Sequence, residues 1–397
     1  MLKRIKFGIR HNLFYLFMLI LSIISRDIVK IIMEKFFEKK EENEKTDNSI
    51  LLTLLMFLGE FLTGLILYKR HISFFTKFNK NSESTFKKIK LIHSPSLKIS
   101  IADKDFVIYL LILASSSFDF LEFILTNDYL PANIDIFSGS LNIRIRCILV
   151  IFSSFFETVL LNIRILKHQK CSLITIIICL IIIIITEYFI IFNNYEKKGA
   201  LNFTYYLLFI IINHLFYSIC EVNEKYLLEY DYVNPFQMLM LEGSFGFIIT
   251  FIYSLIFNKF KDIKYKGGTS LIFVIFIFLP LYCLLSGSRN AYRLITNKLY
   301  SPTTLALIYL IEDPFNILFY KFAEEDFKIK NKENLQYIYF LANLILSIII
   351  VFCALIYNEF LIVFCFSLSH ETHYEISNRA KVESQVEISE YENDDTL

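Results

Sequence analysis

Residues 171–192 read CSLITIIICLIIIIITEYFIIF, and this stretch decides the fold class. The hydrocarbon core of a bilayer is about 30 Å thick, and a helix needs about 20 consecutive apolar residues to cross it. The stretch meets that length. It ends in a polar break, Asn193-Asn-Tyr-Glu-Lys-Lys-Gly199, beyond which a second apolar run occupies 202–221.

The same test along the 397 residues places spans at 11–33, 50–68, 106–126, 136–163 and 171–192, then at 202–221, 236–257, 270–288, 302–320 and 337–357. The fourth is long enough to tilt, and the eighth can continue as helix through Arg289 and Arg293. The expectation is an all-α polytopic membrane protein with about ten transmembrane helices in two five-helix halves, 1–192 and 193–360. A polar tail, 366–397, rich in Glu, Ser and Asn, is expected to be disordered.

Composition agrees. Hydrophobic residues make up 55% of the chain, mean hydropathy is +0.51, and the 20% of charged residues concentrate in short loops and the tail. A soluble protein of this size needs more polar residues to cover its core. The 42 Phe and 24 Tyr beside no Trp fit an AT-rich coding bias, so span length and punctuation carry the reading along with greasiness. Lys3, Arg4, Lys6 and Arg10 precede the first run like a signal peptide, but no small-residue cleavage site comes before Arg26-Asp27, so a retained first helix is expected. With that end cytosolic, Lys and Arg divide 22 to 14 in favour of the cytosolic side, although Lys259, Lys261, Lys264 and Lys266 fall on the other.

The net charge of +1 suggests no nucleic-acid partner. The seven Cys lie in or beside apolar stretches without CxxC or Cys/His ligand spacing, which argues for small apolar residues and against a metal or cofactor site. GxSxG, HExxH, P-loop and strand-to-helix GxGxxG patterns are absent, so the reading is not an enzyme.

Charged residues inside spans need a reason, because each costs about 2.5–3.5 kcal/mol at the bilayer centre. Asp119 and Glu122 are spaced i,i+3, and Arg289 and Arg293 i,i+4, so each pair shares one helical face. With Arg146, Asn213 and His214 they are the candidate lining of a polar cavity at mid-membrane depth, where carboxylates and guanidiniums could exchange partners with a polar or anionic solute. The plainer alternative is that Arg144, Arg146 and Arg289 snorkel to an interface. Gly59-Glu60 and Glu242-Gly243 are assigned to helix packing or gating, since glycine permits close approach. Those Glu/Gly pairs fall in the second and seventh spans, and paired ionisable residues in the third and eighth, as an internal repeat would place them.

Met56-Phe-Leu-Gly-Glu-Phe61, Cys220-Glu-Val-Asn-Glu-Lys-Tyr-Leu227 followed by Asn234-Pro235 and Leu241-Glu-Gly-Ser-Phe-Gly-Phe247, Thr296-Asn-Lys-Leu-Tyr-Ser-Pro302 and Leu355-Ile-Tyr-Asn-Glu359 occur in one order over about residues 50–360. Together they resemble the nucleotide-sugar-transporter-like F branch of solute carrier family 35, in the drug/metabolite transporter superfamily. The resemblance implies ten helices as two inverted five-helix repeats, both termini cytosolic, alternating access and an endomembrane such as Golgi, lysosome or vacuole. Cys147 stands where that family has Gly, and Leu305 and Tyr309 where it often has Arg and Asp. The expected function is transport of a small polar or anionic metabolite, with a nucleotide-sugar-like solute implied by the wider family alone; the alternative is a non-transporting membrane scaffold acting through its tail. The partners are then a small solute and the lipid bilayer.

Overall fold

The computed structural model of the protein describes residues 13–34, 48–78, 104–124, 145–257, 271–310, 333–359 and 361. They form helices and short turns, with no strand among the described residues. The helices are α1 (Leu13–Glu34), α2 (Asn48–Phe78), α3 (Lys104–Ile124), α4 (Ile148–Leu160), α5 (Lys167–Glu229) and α6 (Pro235–Ile256). Three consecutive segments make α7: Leu271–Phe273, a π-helical Val274–Phe278, and Leu279–Leu299. Residues 302–310 form α8, and Glu333–Tyr357 form α9.

Ile50–Arg70, Lys167–Phe189, Phe203–Glu229, Pro235–Ile256 and Val274–Leu299 are long and apolar enough to cross a membrane. Shorter apolar helices run over Phe17–Arg26, Ile148–Leu160 and Leu341–Tyr357. The protein is therefore all-helical, with the build of an integral membrane protein. Arg144, the lysines at 259–266 and the tail 366–397 lie outside the described residues.

Local chemistry sets the helix ends. The Asn234 side chain accepts from the Phe236 N–H at 2.9 Å, and Pro235, which has no N–H to lose, begins α6. Ser301 Oγ accepts from the Thr304 N–H at 3.2 Å, with Pro302 at the first position of α8. Pro280 lies just beyond the π-helical segment of α7. A proline removes one ladder bond and crowds the carbonyl four residues back, and a wider turn relieves both. Asn162, Tyr232 and Glu359 follow α4, α5 and α9 with φ of 56°, 54° and 57°. The N–H after each bonds back into the preceding helix: Ile163 to Glu157, Val233 to Leu227, and, two residues on, Leu361 to Leu355.

Between Tyr188 and Phe203, an interval that includes the break at 193–199, the chain keeps local helical turns but not one helix axis. Helical backbone runs through the 63 residues of Lys167–Glu229, where two separate spans were expected. Straight, such a helix would be about 95 Å long and would hold Tyr188 and Phe203 about 22 Å apart. Their ring centroids are 6.1 Å apart, and Tyr230, just past its C-terminus, donates to the Leu161 carbonyl just before its N-terminus, at 3.5 Å. The two halves of α5 therefore lie antiparallel, as two crossings would. Glu196-Lys-Lys and Ala200-Leu are good helix formers, which explains the persistence of helical backbone through polar sequence.

Packing is inverted relative to a soluble bundle. Ile174, Ile178, Ile181 and Ile185 of α5 and Leu341, Ile345, Ile348 and Phe352 of α9 recur at helical spacing and are exposed, and Phe276 of α7 is 72% exposed. Glu60, Glu221, Glu224, Glu242 and Arg293 are buried. An apolar jacket around a charged interior is stable where the surroundings are hydrocarbon.

Glycine lets α2 wedge between α6 and α7. A Cβ on Gly59 would overlap the Cys283 carbonyl of α7, and one on Gly287 the Gly59 carbonyl; Gly243 abuts the Phe61 N–H and the Glu60 Cβ. Gly59, Gly64, Gly243 and Gly287 each lie against the backbone of a neighbouring helix, Gly64 at Met240 of α6.

At one end of the bundle the termini tie together. Gln169 donates to the Tyr357 carbonyl at 3.5 Å, and His168 Nε2 lies 3.4 Å from Glu359. Lys225 Nζ donates to the carbonyls of Lys298 (3.1 Å) and Tyr300 (2.7 Å), placing a cation on the C-terminus of α7. The Thr303 N–H donates to the buried Glu157 carboxylate at 3.2 Å, so α4 supplies the anion at the start of α8. Residues 164–170, 222–235 and 298–303 and the end of α9 thereby share one side.

Gly59→Ala should destabilise the purified protein by about 2 kcal/mol or more, since its Cβ meets backbone that has no room to yield. Loss of folded yield and a lower melting temperature in detergent would register it. Tyr232→Gly, which removes a side chain from a left-handed position, should raise stability by about 1 kcal/mol in the same assay.

Candidate functional site

Acidic residues on four helices converge in the interior. α2 supplies Glu60, α3 supplies Asp119 and Glu122, the second half of α5 supplies Glu221 and Glu224, and α6 supplies Glu242. The facing side of α7 presents Ser286, Asn290, Arg293 and Asn297, all buried and spaced three to four residues apart. This periodicity makes α7 the polar spine of the site.

The strongest contact is the ion pair from Arg293 Nη2 to Glu224 Oε1 at 2.6 Å, with both side chains almost fully buried. Asn297 Nδ2 steadies the other oxygen, Glu224 Oε2, at 3.3 Å and donates to the Glu221 carbonyl at 2.8 Å. The Cys220 thiol lies between two acids, 3.3 Å from Asp119 Oδ1 and 3.5 Å from Glu224 Oε1. Asn290 Nδ2 donates to Glu60 Oε1. Across to α6, Ser116 Oγ donates to the Glu242 carbonyl at 3.2 Å. Asn223 Nδ2 reaches the Leu111 carbonyl (2.9 Å) and Ser115 Oγ (2.7 Å), clamping α5 to α3.

Of the residues expected from sequence to line a polar site, Asp119, Glu122, Arg289 and Arg293 come together. Asp119 and Glu122 each have both arginines among their electrostatic neighbours. Arg146 is a neighbour of both Glu122 and His214. Asn213 and His214 are buried on α5, but seven residues before Cys220 and Glu221, which is about 10 Å along the helix axis. They border the acid cluster without joining it. Glu60 and Glu242, assigned to packing, reach into the cluster as well as flanking the glycine contacts.

Glu221 and Glu224 were missed as site residues, because that part of the chain was divided between a span end and a connecting segment. Their i,i+3 spacing, the signal that singled out Asp119 and Glu122, was there to be read. Tyr217 and Tyr309 were also missed; their hydroxyls lie 2.7 Å apart. Tyr309 occupies one of the positions where the resembling family often has a charge, and Leu305 and Cys147 are fully buried in the apolar core.

Asp119 and Glu122 are partly accessible, unlike Glu221, Glu224 and Glu242, which are buried. Asp119, Cys220 and Glu224 place three ligand-capable atoms within 4.8 Å of one another. Arg293 already contacts Glu224, however, and a guanidinium there repels a metal ion, so the group reads as a hydrogen-bonded cluster.

Arg293→Leu should destabilise the protein by about 3–5 kcal/mol, because it strands the buried Glu224 charge. Replacing both partners, Arg293→Leu with Glu224→Leu, should recover most of that loss, read as melting temperature and folded yield.

No protein-family model matches this chain, and no curated protein matches it.

Proposed function

We propose that this protein is a membrane transporter that moves a small polar solute by alternating access. The carrying observation is the convergence, inside an apolar jacket, of charged side chains from both halves of the chain. Glu60, Asp119 and Glu122 come from residues 1–192, and Glu221, Glu224, Glu242, Arg289 and Arg293 from 193–360. A bundle serving only as a membrane anchor has no use for so many desolvated charges, whereas a solute site at mid-depth requires them.

The pattern of helix neighbours supports an inverted repeat. Counting the halves of α5 as the fifth and sixth crossings, exchanging each crossing with the one five places later maps α2 onto α6 and α3 onto α7. α2 and α6 are packed partners. The contact of α3 with α6 is matched by that of α7 with α2. The contact of α3 with the sixth crossing, through Asn223 and Cys220, is matched by that of α7 with α1. α9 meets the fifth crossing at Gln169, and those two exchange with each other. Ten crossings in two repeats is the reading these pairings support; non-enzymatic transport in an endomembrane with both termini cytosolic is the part of the proposal that rests on the sequence and the family resemblance alone.

Purified full-length protein in liposomes should show saturable counterflow of at least one solute from a radiolabelled panel of nucleotides, sugars, amino acids and amines. Asp119→Asn should slow it by about tenfold or more, the scale of one lost charged hydrogen bond. Folded protein that moves none of the panel refutes the reading.

A further inference from the structure

The interior charge does not balance. Among the described residues, the six carboxylates of the site face three guanidiniums, those of Arg146, Arg289 and Arg293. Two acids are also short of donors. Glu221, fully buried, has only the Tyr217 hydroxyl as a side-chain donor among the described residues, and Glu242 Oε1 has none at 1% exposure. The nearby Tyr217 hydroxyl is engaged with Tyr309. Buried carboxylates without donors are costly unless a proton or another positive charge neutralises them.

We propose that this core binds a small organic cation, with Glu221 and Glu242 supplying the charge that recognises it and Asp119 and Glu122 lining its entry. The inference names the solute class for the transport function proposed above and rests on that reading. It replaces the anionic solute expected from sequence, because an anion entering here would meet a field of its own sign. Glu242 is faced by Glu60 from α2, Asp119 from α3, Glu224 from α5 and Arg293 from α7. Glu221 is faced by Asp119 from α3, Arg293 from α7 and, on its own helix, Glu224 and Tyr217, with Tyr309 of α8 behind Tyr217. Arg293 is committed to Glu224 at 2.6 Å and only shares its field with Glu221 and Glu242, neither of which has an ion pair of its own among the described residues. A carboxylate must be ionised to hold a cation, so protons compete for the site and binding weakens as pH falls.

Thermal stability of the purified full chain, titrated with choline, tetraethylammonium, uridine monophosphate and glucose at matched ionic strength, tests this. At least one of the two cations should raise the melting temperature saturably. Its apparent affinity should fall up to tenfold per pH unit once the acids titrate, as for competition with one proton. Glu221→Gln and Glu242→Gln should each weaken that affinity about tenfold or more. Stabilisation by uridine monophosphate alone, by none of the probes, or by a cation without pH dependence overturns the proposal, as does unchanged affinity in both folded variants. If the variants fail to fold, the wild-type pH series decides. Cation binding by protein that transports nothing in liposomes refutes the transport reading and leaves the cation site standing; transport without cation binding does the reverse.

Discussion

The contact between Arg293 and Glu224, 2.6 Å long and sealed from solvent, constrains the rest of the molecule. A buried ion pair repays its desolvation only when its remaining valences are met and its geometry is held. Asn297 and the Cys220 thiol supply the former. The latter requires α5 and α7 to keep fixed register, and Lys225, the neighbour of Glu224, provides that by binding the carbonyls that end α7. Two adjacent residues thus fasten one helix to another, one through a charge pair in the core and the other through a helix terminus.

The same register governs the glycine contacts. α2 can approach α7 only where Gly59 meets Gly287, and that approach brings Glu60 within reach of Asn290, one turn from Arg293. Close backbone packing and charge burial are therefore one arrangement. Without the glycines the helices would stand farther apart, water or lipid would enter, and the acids would lose both their partners and their reason to be desolvated. In an apolar solvent hydrophobicity does not hold helices together, so packing and polar bonds carry the association.

The acid excess gives this interior a sign. Charge pairing neutralises Glu224 and amide donation steadies Glu60, while Glu221 and Glu242 stay short of partners. An interior built only for stability would match its charges or omit them. Asp119 and Glu122 are the members of this acidic group that keep partial exposure.

Much of this was legible in the chain. Run length picked out the five helices long and apolar enough to cross a membrane, because hydrocarbon thickness sets that length, and at Asn234-Pro235 and Ser301-Pro302 helix starts rest on bonds made within a few residues. The i,i+3 and i,i+4 rules picked out Asp119, Glu122, Arg289 and Arg293, and the Glu/Gly pairs were sited where backbones meet. Other features depended on residues distant in sequence and needed the tertiary structure. These include the reversal of α5 that sets Tyr188 on Phe203, the pairing of Gly59 with Gly287, and the choice of Glu224 over the other acids as the partner of Arg293. They also include the stranding of Glu221 and Glu242. Local spacing determines which side chains share a helix face. Only the packing of one helix on another decides which face meets which, and so which charges find a partner and which do not.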